Sequence, residues 1–140
     1  MADNIRFEIV TPTGAAYSSS GTSVVIPSKE GELEILPGHR ALLALVGHGT
    51  VVVTKPDNSK AFFVVEPGYV EVADNVVTLL VAGCTASADV DLAAARLDFD
   101  QANQAISAAS HESIEEERER AARARARIDM LERATGQKQA

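Results

Sequence analysis

The stretch Glu30-Gly31-Glu32-Leu33-Glu34-Ile35-Leu36-Pro37-Gly38-His39 decides the fold. It packs acidic residues, a Pro-Gly turn and a histidine into one tight β-bend. An apolar strand follows over 41–46, and then Gly47-His48-Gly49. On both sides of this stretch the pattern is that of short strands. Ile5-Arg6-Phe7-Glu8-Ile9-Val10 alternates apolar with polar, as a half-buried strand does. Residues 24–26, 49–54, 62–65, 69–72 and 76–81 read as further strands. Thr13-Gly14, Pro27-Ser28, Pro56-Asp57-Asn58, Pro67-Gly68 and Asp74-Asn75 separate them with turn chemistry. Short strands at this spacing predict an antiparallel β-sandwich or barrel.

Near residue 88 the period changes. Leu92, Ala95, Phe99, Ala102, Ile106 and Ala109 follow steps of three and four, the face of a helix. Asp89 is its expected N-cap, with Asp91 at the positive end of the dipole. Ser110-His111-Glu112 breaks the pattern. Ser113 is expected to start a second helix, with Glu116 completing a capping box. Its apolar stripe is Ile114, Ala121, Ala124, Ile128 and Leu131, and Gly136 suits a stop. So short a connection predicts antiparallel helices. The fold class is α+β: an N-terminal antiparallel β-sandwich over 1–88, then a two-helix hairpin over 89–140.

Both facing stripes of the hairpin are mostly alanine. Alanine buries little area, at about 0.8 kcal/mol per buried CH₂, yet it favours the helix intrinsically. Two readings are open: a hairpin that opens while its helices persist, or a static appendage. The second helix also carries Arg118, Arg120, Arg123, Arg125 and Arg127 after Glu115, Glu116 and Glu117. Acid first and base later suits the helix dipole, which fits a solvated charged face. The alternative is docking onto an acidic surface of a partner.

Composition removes several functions. A net charge of -7 argues against nucleic acid, which demands a concentrated basic surface. No apolar run approaches the roughly 18–20 residues of a membrane span, and the N-terminus does not read as a signal peptide. The lone Cys84 cannot form an internal disulfide and is expected to be a buried apolar residue in a reducing compartment. The three histidines lie far apart with no ligand spacing, so no metal site is expected; His48 and His111 read as ordinary surface or loop histidines. Gly47-His48-Gly49-Thr50 lacks the lysine of a phosphate loop, and there is no Gly-x-Ser-x-Gly turn. No catalytic residue is expected. A free β-sandwich binding module would want more exposed aromatics than two Tyr and four Phe supply.

The Gly-Glu-Leu-x-Ile-Leu-Pro-Gly-His block within 30–43, together with residues 68–81, resembles the epsilon subunit of bacterial F-type ATP synthases along nearly the whole chain. Glu34 and Pro67 depart from it, each standing where that family usually carries Gly. The resemblance implies a non-catalytic subunit of the central stalk, peripheral on the cytoplasmic face of the bacterial inner membrane. It implies that the sandwich packs on the gamma subunit and meets the polar loops of the c-ring, with Glu32 and His39 at that contact. It also implies a hairpin that can rise and press Arg118, Arg120, Arg123, Arg125 and Arg127 against acidic loops of the catalytic beta and alpha subunits. The alternative is a rotor clamp with neither brake nor nucleotide sensor. Some relatives bind ATP through a first-helix motif that here has become Val90-Asp91-Leu92-Ala93-Ala94-Ala95. Asp91, Ala95 and Arg125 survive; the motif arginine is Ala94, a further one is Gln101, and Asp129 stands where another is expected. ATP binding is therefore expected to be weak or absent, and no other cofactor is implied.

Overall fold

The computed structural model describes residues 4–108 and 110–136. Ten strands run in chain order: β1 Ile5–Thr11, β2 Gly14–Gly21, β3 Ser23–Ser28, β4 Gly31–Ile35, β5 Leu42–Val46, β6 Gly49–Thr54, β7 Lys60–Val65, β8 Gly68–Ala73, β9 Val76–Val81 and β10 Cys84–Ala86. A short 3-10 turn, Ser87–Asp89, leads to helices α1 Leu92–Ala108 and α2 Ile114–Ala134.

The strands form one sheet in the order β10-β7-β6-β3-β5-β8-β9-β1-β2, with β4 paired to β3 beside that path. Every pairing is antiparallel except that of β1 with β9, which is parallel. The sheet closes on itself. Tyr17 of β2 packs on Phe63 of β7 with ring centroids 4.5 Å apart, although these strands lie near opposite ends of the pairing order. Alternation supplies the core: Ile5, Phe7 and Ile9 of β1 point in with Val70 and Val72 of β8 and Val77, Leu79 and Val81 of β9. Asp74 and Asn75 both have positive φ, as a two-residue hairpin between β8 and β9 requires.

Three strands escape the sequence reading. β2 is Gly-Ala-Ala-Tyr-Ser-Ser-Ser-Gly, with almost no strand propensity, and exists through its ladder with β1. The residues of β4 were expected in a bend; Gly31 to Ile35 instead pair with Ser28 to Val24 of β3. β10 is short and joins the outer edge of β7.

The caps also differ from expectation. Asp89 lies in the 3-10 turn, and Asp91 caps α1: its carboxylate accepts the Ala94 N–H at 3.2 Å and its carbonyl the Ala95 N–H at 3.0 Å. Ser113 precedes α2 in αR geometry without a side-chain cap bond, so the expected capping box with Glu116 does not form. Gly136, with φ 79°, follows α2 in the left-handed conformation expected of a helix stop. Ala109 of the expected α1 stripe lies outside the described residues.

The second helix has two working faces. Ala121 and Ala124 are buried on the stripe expected to meet α1, where Ala95 and Ala102 are buried in turn. On the nearly opposite side, Glu119, Arg123, Ala126, Met130 and Arg133 recur at steps of four and three. That side lies on the sandwich. Met130 is 0% exposed and packs with Ala126 and Val64, with Phe62, Val90 and Leu131 around them. This explains why Thr50 and Val52 of β6 and Val64 of β7 are buried although they point away from the inner core. Cys84 is half-buried against the core, and burial pushes its thiol up to about 11.

A fragment ending at residue 88 keeps every ladder and loses only what α2 supplies: the cover over Thr50, Val52 and Val64 and the ion pairs to Glu32, His48 and Glu66. It is expected to give a dispersed amide spectrum and one cooperative thermal transition; a fragment with neither would show that the helices are required for folding.

Candidate functional site

Two stretches of the sheet's outer face are apolar. One lies beneath α2. The other crosses β5, β8, β9 and β1, where the ladders place Leu45 opposite Tyr69, Tyr69 opposite Leu80, and Leu80 opposite Val10. Leu43 lies one pleat away, opposite Glu71. Leu43, Leu45, Tyr69 and Leu80 are 73%, 59%, 51% and 40% exposed, so nothing among the described residues covers them. The sequence did carry a signal. Period two over Leu42-Leu43-Ala44-Leu45-Val46 leaves large apolar residues on both faces, which a half-buried strand does not need.

Glu32 and His39 are not brought together. Glu32 is on the exposed face of β4 and accepts a hydrogen bond from Arg133 Nη1 of α2 at 2.5 Å. His39 lies beyond the other end of β4, where its Nδ1–H donates to the Arg40 carbonyl at 2.7 Å. The adjacent Gly38 N–H donates to Asn75 Oδ1 at 2.7 Å, tying that loop to the β8–β9 turn.

Arg118, Arg120, Arg123 and Arg125 of α2 each lie near an acid of the chain. Arg118 donates to Glu115 at 3.0 Å. Arg120 reaches across to α1, donating to Asp98 at 3.1 Å and Gln101 at 2.8 Å. Arg123 lies 3.7 Å from Glu66 at the start of the β7–β8 turn. Arg125 lies 3.8 Å from Asp129, with its guanidinium 5.9 Å from the Phe99 ring centroid. Arg127 lines a groove with Asp89, Asp91 and Asp98.

That groove, about 230 Å³, lies where α1 begins and is also lined by Thr85, Val90, Ala94 and Ala95. It collects three carboxylates against one guanidinium. Asp91 and Ala95 share it, whereas Arg125 lines a different groove with His48, Thr50 and Arg133. Among the described residues, no group of three or more His, Cys, Asp or Glu is placed to hold a metal ion.

His48 is not the ordinary surface histidine expected. Its side chain is 11% exposed, and its Nε2 pairs with Glu119 of α2. The loop that carries it runs tightly past Pro27: a Cβ on Gly49 would lie 2.5 Å from the proline ring. The hydrogen bond from His48 holds the Glu119 carboxyl below the usual carboxylate range, with Arg123 and Lys29 adding attraction. Single-stripe helix reasoning missed this partnership, because the side of α2 that meets the sandwich is charged at three of its five positions.

Comparison with known proteins fits this architecture. The family described as ATP synthase, Delta/Epsilon chain, beta-sandwich domain matches residues 4–86. An ATP synthase epsilon chain of Sulfurovum is 34% identical over 112 residues, covering 79% of this chain and 85% of that one. One from Nitratiruptor is 40% identical over 81 residues, and the match spans 58% of this chain and 63% of the relative. Among solved structures, a chain of the Euglena gracilis mitochondrial ATP synthase, OSCP/F1/c-ring in rotational state 1, superposes with a TM-score of 0.76 at 15% identity, covering 96% of this chain and 81% of that one. At that identity the likeness speaks for the fold, which includes the region of both helices. The chain belongs to the delta/epsilon family of ATP synthase subunits, as an epsilon chain.

Proposed function

We propose that this chain is a non-catalytic rotor subunit of a proton-translocating F-type ATP synthase, coupling rotation of the c-ring to the gamma subunit. It works on the cytoplasmic face of the bacterial inner membrane, held there through the complex. No helix among the described residues is long and apolar enough to cross a membrane. The observation that carries the reading is the uncovered apolar row of Leu45, Tyr69 and Leu80 with Leu43 beside it. Such a patch on a soluble domain marks a protein contact, and torque transfer needs a contact that does not slip. Gamma is the partner proposed for it. The loop carrying His39, buttressed by Asn75, faces the c-ring loops in this reading, and Glu32 joins that contact once Arg133 lets go.

A brake is the further possibility. Raised, α2 would present Arg118, Arg120, Arg123, Arg125 and Arg127 to acidic loops of the alpha and beta subunits. A clamp without a brake is the second reading; the internal pairing of Arg118, Arg120, Arg123 and Arg125 favours it. Nucleotide sensing finds little support in a groove where Asp89, Asp91 and Asp98 would repel a triphosphate.

Replacing Leu45 and Tyr69 by Glu keeps the inner core intact and is expected to abolish co-purification with gamma. Retained association would move the shaft contact to another face. Replacing Arg118 and Arg120 by Ala is expected to raise ATP hydrolysis of the assembled enzyme several-fold if the hairpin brakes it; no change, in an enzyme that truncation at residue 88 does activate, would exclude these two from the brake. Calorimetric titration of ATP into the isolated chain is expected to show no binding below millimolar concentration, and a micromolar isotherm would overturn the electrostatic reading of the groove.

A further inference from the structure

The side of α2 that lies on the sandwich is unusual in what it sets against it: two buried apolar residues and three exposed or half-exposed charged ones. Of Glu119, Arg123, Ala126, Met130 and Arg133, only Ala126 and Met130 are apolar. The other three each meet an opposite partner on a different part of the sandwich. Glu119 pairs with His48 of the β5–β6 loop, Arg123 lies 3.7 Å from Glu66 of the β7–β8 turn, and Arg133 lies 2.5 Å from Glu32 of β4. The partners are 71, 57 and 101 residues apart in sequence, the second figure being 123 minus 66. None is a local helix pair. They are spaced over nearly four turns of α2, with Met130 between the last two.

We propose that these three pairs form a polar clasp that fixes the register of α2 on the sandwich and sets how readily the hairpin leaves it. The inference rests on the reading of the hairpin as a movable element, but its test needs no rotor. A helix held by Met130 and Ala126 alone could slide or rotate, because two apolar contacts do not define a register. The charges define one. Their order along α2, acid at 119 and base at 123 and 133, matches the order on the sandwich: imidazole at 48, then carboxylates at 66 and 32. A helix shifted by one turn would set Arg123 in place of Glu119 against His48 and would take Arg133 away from Glu32. Release, in turn, frees Arg123, Arg133 and Glu32 together. An acidic partner surface that takes the arginines therefore competes directly with the sandwich for them.

The chain has two methionines, Met1 and Met130, so the Met130 methyl is a separate spectroscopic probe of docking. Met130 is fully buried in the cluster against which Phe62 packs when α2 is docked. The experiment records this methyl resonance in the full chain for Glu66→Arg, Arg123→Glu and the exchanged pair, and for Glu32→Arg, Arg133→Glu and their exchanged pair. Core methyl resonances of Ile9 and Val70 report that the sandwich stays folded. Each single reversal is expected to lower the ratio of docked to free hairpin about threefold or more, moving the Met130 resonance towards its solvent-exposed position. Molar salt is expected to act in the same direction on the unmodified chain. Each exchanged pair is expected to restore the docked signal. If single reversals leave Met130 in place, the clasp does not exist. If they displace it and the exchanges do not restore it, the effect is not the pairing, and the proposal fails equally. Loss of gamma binding in these variants would bear on the rotor reading alone.

Discussion

A single ten-stranded sheet has nowhere to bury its inner face except against itself. That constraint organises the molecule. Phe7, Tyr17 and Phe63 close the fold where strands far apart in pairing order meet. Once the inner faces are consumed, the outer face becomes the only surface available for contact. Wherever it is apolar, something must cover it. Beneath α2 this chain covers it with its own helix, through Met130 and Ala126. Across β5, β8, β9 and β1 it leaves Leu43, Leu45, Tyr69 and Leu80 bare. The contrast is the strongest physical argument for an external partner, because the same chain shows what it does with an apolar outer face that it keeps for itself.

Much of the sandwich was legible because period two leaves a trace wherever one face is buried and the other wet. β1, β8 and β9 are of this kind. The trace vanishes in two circumstances. In β2 the side chains are small and polar, and strand geometry comes from the neighbour rather than from the residues. In β6 and β7 both faces are covered, so Val51-Val52-Val53 and Phe62-Phe63-Val64-Val65 lose their alternation. Those runs were read as strands from length and composition, but their second covering was not inferred. The site was less legible. A helix normally shows its packing as an apolar stripe, and the stripe of α2 towards α1 was visible. The sandwich stripe hides behind charge: Glu119, Arg123 and Arg133 look like solvent residues until their partners are placed.

The arginines illustrate how far sequence chemistry reaches. The arginines at 118, 120, 123, 125 and 127 left two readings open in the sequence, a solvated charged face or a surface for an acidic partner. In the folded chain Arg118, Arg120, Arg123 and Arg125 each lie near an acid of their own chain. A helix that carries six arginines and six acids, in a chain of net charge -7, is surrounded by potential partners, and folding brings several of them into range. The relevant quantity for any docking of α2 elsewhere is thus a difference between two sets of pairs, and not the worth of a new set alone.

Magnitudes decide how such a difference is poised. Burying Met130 fully contributes about 1.5–3 kcal/mol. Exposed or half-exposed ion pairs contribute about 0–1 kcal/mol each, so the three that link α2 to the sandwich together amount to a similar or smaller sum. Against both stands the side-chain entropy of holding two arginines and a glutamate in place. Docking is therefore shared between a small apolar cluster around Met130 and a set of salt-sensitive pairs. Such a balance suits the movable hairpin proposed above. A larger core under α2 would hold it more tightly, whereas alanine and charge leave the docked state open to competition by the acidic surface proposed above. The inner core of the sandwich is built from Ile, Val, Phe and Leu with no ion pair in it, so the competition for charged partners that bears on α2 has no counterpart there.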